Sequence, residues 1–482
     1  MKTISKRRPW GRSLNCDAVV HCKSGSRIAA AVLALCWLPA SAATLHVRLD
    51  SPAPALPYDT WDNAAHTIQE AIDVAVGNDT VLVYDGVYDT GERAGQDSWV
   101  TRVVIDRALT VQSLNGPEVT VIDGAEAVRC ADLHDGAILS GFTLTGGVSK
   151  DGGITGSGGG AWCASGGIVT NCVLTDNHAQ AGGGARGGTL CDCTLSGNGA
   201  GWGGGAHSAT LYNCTLNGNV VYESGGGAYG GALYHCTLTQ NHAAGDGGAA
   251  SGSMLTNCLL TGNSVLHQGG GAAGSTLYNC TVTANSCGPP GGGGVSGSTL
   301  YNCIVYYNSG APVSGADPNY DPSSSLSYSC ATPLPPGVGN IAQDPAFVNS
   351  AAGDYHLQFG SACINTGINQ DWMTGATDLD GNPRISMGVV DMGASELPDS
   401  DGVGVPDVID VCPGTPAGEV VNSNGCSISQ LVPASGPWRN HGEYVSAVTK
   451  VAEQFVAEGL ITEAQKDQIV ADAAKSTIGK PS

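Results

Sequence analysis

Positive charge is scarce in this 482-residue chain, with 20 Lys and Arg against 42 Asp and Glu and a net charge of −22. Nucleic acid draws clustered Lys and Arg, so a diffusely acidic chain excludes it as a partner. Between Lys150 and Arg384 the sequence holds one Lys or Arg, Arg186. A lyase acting on an acidic polysaccharide needs cations to abstract a proton and to hold carboxylates. A glycoside hydrolase needs two carboxylates gathered on one face. Asp151, Asp176, Asp192, Glu223 and Asp246 are out of register with one another, and no Asp-Asp pair occurs. H-E-x-x-H is also missing. No catalytic residue and no organic cofactor is assigned.

Other shortages narrow the class further. Only 6% of residues are aromatic and 13% charged, whereas Gly reaches 72. That glycine has no every-third period, which excludes collagen. No apolar run reaches the ~20 residues that a membrane helix needs. The longest, Ile28–Leu38, follows the basic residues Lys2, Lys6, Arg7, Arg8, Arg12, Lys23 and Arg27 and precedes Ala40-Ser41-Ala42. This order predicts a cleaved export signal over residues 1–42, which takes Cys16, Cys22 and Cys36 with it. The product is expected to be secreted or held at a bacterial cell surface, with no transmembrane segment in the mature chain.

What the chain has in abundance is a repeat. Cys172, Cys193, Cys214, Cys236, Cys258, Cys280 and Cys303 are spaced by 21, 21, 22, 22, 22 and 23 residues. Five residues after each stands Asn: Asn177, Asn198, Asn219, Asn241, Asn263, Asn285 and Asn308. Leu or Val stands two residues after each Cys, and a Gly cluster precedes each unit. Alternation in Cys-Thr-Leu-Thr puts Cys and Leu on one face and both Thr on the other. Such short strands bury nothing alone, so units must stack. One coil per ~22 residues with three short strands is a rung of a parallel β-helix. Stacked Asn amides bond from rung to rung, and Gly supplies positive-φ corners. Rungs ~4.8 Å apart suit the Cys residues as small buried hydrophobes, because a disulfide wants Cβ atoms ~3.8 Å apart. Cys191 and Cys287 fall outside this ladder.

The array extends upstream through Ala137–Gly147 and the strands near Val103 and Leu109. Before it, residues 66–76 carry Ile68, Ile72, Ala75 and Val76 on one helical face. A helix there is expected to cap the first rung and protect its edge. Regular rungs are expected over 137–310 and a less regular part over 311–397, giving ten to twelve coils.

These residues resemble exported bacterial right-handed parallel β-helix proteins of the choice-of-anchor and polymorphic outer-membrane-repeat type. The resemblance rests on TIQEAIDVAVGNDTVLVYDGVY, on the rungs, and on Asn340–Phe347, Gly353–Leu357, Thr377–Arg384 and Val390–Ala394. It implies an all-β solenoid over about 43–397 and a surface location, and carries no defined chemistry. Residues 398–430 resemble a thrombospondin type 3-like repeat, which implies calcium held by Asp399, Asp401, Asp407 and Asp410. Val403 stands where that motif has a further acid. A solvated acidic linker is the alternative. Cys412 and Cys426 fit a local disulfide, and Cys330 and Cys363 form a second candidate pair. Residues 431–482 read as a helical hairpin, with Tyr444, Val448, Val451 and Phe455 on one stripe, Gly459 at the turn and a capping box at Thr462–Gln465.

Two outward stripes bear on function. Tyr212, Tyr234, Tyr278 and Tyr301 each stand two residues before a Cys. A row of rings stacks on sugars, or its members simply cover one another. The Thr-x-Thr grid of the rungs is broken at Leu259 and Tyr306. The sequence thus reads as a non-catalytic structural or adhesive rod with a polysaccharide or cell-surface partner. The alternative is a polysaccharide-degrading enzyme, pectate lyase-like or a glycoside hydrolase, on the same scaffold.

Overall fold

The computed structural model describes residues 42–480 apart from 96, 150–155, 289–291, 311–317 and 417. The export signal therefore lies outside the described residues, save Ala42. The chain divides into two compact units, up to Gln343 and from Asp344 onward. The sequence reading placed that division near residue 397. The Asn340–Phe347 and Gly353–Leu357 motifs thus straddle or follow the boundary rather than continuing the coil.

The first unit is a parallel β-solenoid with three strand faces. The second face is an 11-stranded sheet running from Gly86–Tyr88 to Cys330–Ala331, and the third a 7-stranded sheet from His178–Ala181 to Ser309–Gly310. The first face begins with Thr44–Val47 pairing in parallel with Thr80–Val83. Inward columns run in register through all three faces. Leu190, Leu211, Leu233, Leu255, Leu277 and Leu300 stack on the first. Leu174, Leu195, Leu216, Leu238, Leu260 and Val282 stack on the second. Ala200, Val221, Ala243 and Val265 line the third, and Cys287 joins them. Cys287 is thus a member of a small-residue column that periodicity around the other cysteines did not reveal.

Each corner has its own residue. At the turn from first to second face, Asn171, Asp192, Asn213, His235, Asn257, Asn279 and Asn302 take φ of 50° to 54°. The following Cys points inward, fully buried, and its Sγ donates to the carbonyl two residues back, as from Cys214 to Tyr212 at 3.2 Å. At the next corner the Asn ladder closes. Asn219 Nδ2 donates to Asn241 Oδ1 at 2.9 Å and to Leu195 O at 3.0 Å, and Asn219 N also donates to Asn241 Oδ1. The pattern runs from Asn177 through Asn308 and is extended by Asn319. At the third corner only the first Gly of each cluster needs positive φ, as Gly203 at 62°. The next two are glycine because rungs touch: a Cβ on Gly204 or Gly205 would sit 2.5 or 2.7 Å from the carbonyl of Gly226 or Gly227.

The capping helix spans Ile68–Val74, shorter than the 66–76 expected, with Thr67 and Glu70 forming a capping box. Ile68, Ala71 and Ile72 are buried, and Ala75 is extended, so Val76 points to solvent. In the second unit the helices His441–Ala457 and Glu463–Lys475 pair as a hairpin, with Thr462 and Gln465 capping the latter. Val448 and Phe455 are buried, with Tyr444 and Val451 packed beside them.

The ladder sets a stability test. Asn241→Ala deletes four side-chain hydrogen bonds in a fully buried position. Urea unfolding should show a loss of about 2–4 kcal/mol. The rung thiols should react with Ellman's reagent only as fast as the solenoid unfolds, because burial closes them off and pushes the Cys172 thiol above its ordinary value.

Candidate functional site

The outward positions of the first face carry the chemically richest side chains of the solenoid. One column, in strict register, reads Asp132, Trp162, Arg186, His207, Tyr229, Ser251, Ala273 and Ser296. His207 stacks on Tyr229, with ring centroids 5.3 Å apart. Burial and the neighbouring Arg186 push the His207 imidazole below its ordinary value, so it is neutral at pH 7. This column escaped the sequence reading because no residue type repeats in it. The in-register Ala185, Ala206, Ala228, Ala250 and Ala272 just before it were the signal that could have located it.

The predicted tyrosines form the second column, but as two pairs. Tyr212 stacks on Tyr234 at 4.9 Å and Tyr278 on Tyr301 at 5.4 Å, with planes within 11°. Thr256 lies in register between Tyr234 and Tyr278. Mutual cover is therefore real within each pair. Each stack also ends on a small side chain: Tyr229 on Ser251, and Tyr234 on Thr256. Both rings belong to the strand Ala228–Tyr234 and face the same rung. Met254, 38% exposed, lies on that rung between the two small residues. Both rows of rings are thus broken on this rung, at half-buried Ser251 and at buried Thr256.

A charged cluster sits above Trp162. Arg129, fully buried, reaches Asp97 at 2.5 Å and Asp132 at 3.3 Å, and donates to the carbonyls of Ser157 and Gly158. His134 lies 3.6 Å from Asp132. These bonds hold the guanidinium in place and leave it no role toward a ligand. The Thr-x-Thr grid of the second sheet is interrupted in register by Leu259 and Tyr306, as read from sequence, and its Thr281 and Thr283 are buried.

The tail motifs of the second unit are a buried ion network. Arg384 contacts Glu396 at 2.8 Å and donates to the carbonyls of Asp391, Gly393 and Ala394. Asp391 accepts from Asn365 N and Leu397 N, and Asp378 from Asp380 N, Asn382 N and Glu396 N. One cation thus faces three buried carboxylates. Burial outweighs Arg384 and pushes Glu396 up to about 8 and Asp391 up to about 6. Nearby, His356 is held between Asp380 and Asp354 at 3.1 and 2.6 Å, and these bonds raise its imidazole to about 9.

The acids of the thrombospondin-like segment serve turns separately. Asp399 accepts from Gly402 N and Gly404 N, Asp401 from Gly414 N and Thr415 N, Asp407 from Ser400, and Asp410 from Cys412 N. Among the described residues no group of three or more His, Cys, Asp or Glu is gathered to hold a metal ion. Each of the four is bonded within the turns of its own segment. Cys412 and Cys426 are joined, with Cα atoms 4.9 Å apart. Cys330 and Cys363, the second candidate pair, are not joined by a disulfide. Cys330 is a strand residue beside Ile304 whose Sγ donates to Gln343 O, and Cys363 lies in the other unit, bonded through its carbonyl to Met392 N.

No protein-family model and no curated protein matches the chain. Solved structures that resemble it include pectate lyase Pel9A, with 15% identity and a TM-score of 0.46 over 74% of this chain and 97% of that one. A rhamnogalacturonan lyase gives 10% and 0.29 over 64% and 90%, and XylC in complex with xylose 9% and 0.28 over 63% and 87%. At such values nothing about activity is taken from them.

The Arg384 network sets a pH dependence. A carboxyl raised on folding contributes stability below its unfolded value that is lost as pH rises through the folded one. Glu396 and Asp391 therefore weaken the second unit between about pH 4.5 and 8. His356 acts in the same direction up to about 9. Urea midpoints of this unit should fall from pH 5 to 9. Glu396→Gln should flatten the decline, by an amount on the order of 1–3 kcal/mol at the alkaline end.

Proposed function

We propose that this protein is an exported, non-catalytic β-solenoid that binds a glycan across its first face. The observation that carries the reading is the step from Tyr229 and Tyr234 down to Ser251 and Thr256. Each small residue leaves one aromatic face without a ring neighbour, and pyranose rings stack on such faces through their apolar C–H edges. The platform is rigid, because each ring is carried on a strand hydrogen-bonded to the rungs on both sides. Preorganised rings cost little conformational entropy on binding. The partner is a polysaccharide or a glycan of a surface, and the solenoid acts as a rod that holds it. Calcium is no part of this reading, since the acids of residues 399–410 are engaged by backbone N–H groups.

The test is retention on a panel of neutral and acidic polysaccharides, with reducing ends and unsaturated products measured in parallel. Retention without turnover is expected, with Tyr229→Ala and Tyr234→Ala each weakening binding roughly tenfold. Turnover on any substrate would replace this reading with the degradative one. Retention that both variants leave unchanged would remove the first face as the binding surface.

A further inference from the structure

Arg186 stands apart from the other arginines of the described chain. Arg48, Arg93, Arg102, Arg107, Arg129, Arg384 and Arg439 each lie within 4.0 Å of a carboxylate. Arg186 makes no ion pair and no side-chain hydrogen bond among the described residues. This happens in a chain with acids in twofold excess over bases, where the default is a paired cation. Arg186 is half-buried on the flat outer side of the strand Ala185–Arg186, between Trp162 and His207 in adjacent rungs. His207 in turn stacks on Tyr229. Arg186 is thus set, in the outer column, between positions that carry an indole and an imidazole.

Resting on the glycan-binding reading, we infer that Arg186 is a carboxylate subsite of the same face, selecting a glycan that carries a single acidic sugar among neutral ones. A guanidinium holds a carboxylate bidentately, and partial burial strengthens that contact relative to open solvent. Arg186 lies three rungs above Ser251, about 14 Å along the column, so one extended oligosaccharide spans both the cation and the aromatic step. A chain charged at every sugar does not fit. The remaining members of the column are aromatic, small or neutral, and Asp132 lies at its upper end. A second carboxylate would meet no cation and an acidic protein.

The experiment compares three ligands: the neutral oligosaccharide best retained in the panel, the same oligosaccharide with one primary hydroxyl oxidised to a carboxylate, and its fully oxidised form. Affinities are measured by calorimetry at low and high salt. The singly oxidised ligand should bind about tenfold tighter than the neutral one, the fully oxidised one weakest of the three, and salt should erase the difference. Arg186→Gln should bring the neutral and singly oxidised ligands to equal affinity without weakening the neutral one. Its melting temperature should match the parent, because Arg186 supports no bond in the fold. Arg186→Lys should restore only part of the preference, lacking the planar fork. Equal binding of the two ligands by the parent protein, or a preference that survives Arg186→Gln, overturns the subsite and leaves the glycan-binding reading intact. Retention of none of the three removes both.

Discussion

Every part of the solenoid depends on one constraint: each rung must hand its backbone hydrogen bonds to the next without a turn of helix or a hairpin to absorb errors. Corners are where such a stack is most exposed, because bent backbone leaves donors and acceptors unpaired. The buried Asn column removes that weakness. Each amide accepts from the backbone and side chain of the preceding rung, and donates both to the following Asn and to a carbonyl of an earlier rung. A buried amide satisfied in this way is poorly replaced by any other side chain, which is why the repeat keeps Asn in every rung from Asn177 to Asn308.

The same stacking rule sets what the inside can contain. Columns of Leu, Ala and Cys repeat because each member meets a copy of itself ~4.8 Å away, and equal shapes in register fill a narrow core without voids. The outside is released from this rule. Outward positions need only avoid clashing, so one column can pass from Asp132 through Trp162, Arg186, His207 and Tyr229 to Ser251. Function in such a scaffold belongs to positions where the repeat is broken. The step from ring to small residue at Ser251 and Thr256 is a break of that kind.

The second unit works by a different principle. It has few strands, and its centre is charged rather than apolar. Arg384 gathers three carbonyls and Glu396, while Asp378 and Asp391 hold turns through backbone N–H groups. Here polar residues organise irregular backbone that has no ladder to rely on. Carbonyls and N–H groups that a sheet would have paired are satisfied by side chains instead. Buried carboxyl groups therefore outnumber buried cations at this centre.

The repeat was enough to establish the solenoid with its Asn and Cys ladders, and local spacing outside it the capping helix, the helical hairpin and the Cys412–Cys426 bridge. All of these are read from contacts between residues close in sequence or separated by one fixed period. It did not reveal that Asn, Asp or His rather than Gly turns the first corner from Asn171 to Asn302, or that Gly204 is glycine because the next rung touches it. It offered Cys330 and Cys363 as a candidate pair that the fold does not join, and it treated four tyrosines as one stripe when Thr256 divides them. It also passed over Arg186 as too little charge to matter, although among the described residues it is the arginine that meets no carboxylate. Periodicity reports what is equal from rung to rung. Which unlike side chains share an outer column, and which cation is left unpaired, depends on register between strands some 22 residues apart, and only the folded stack brings those together.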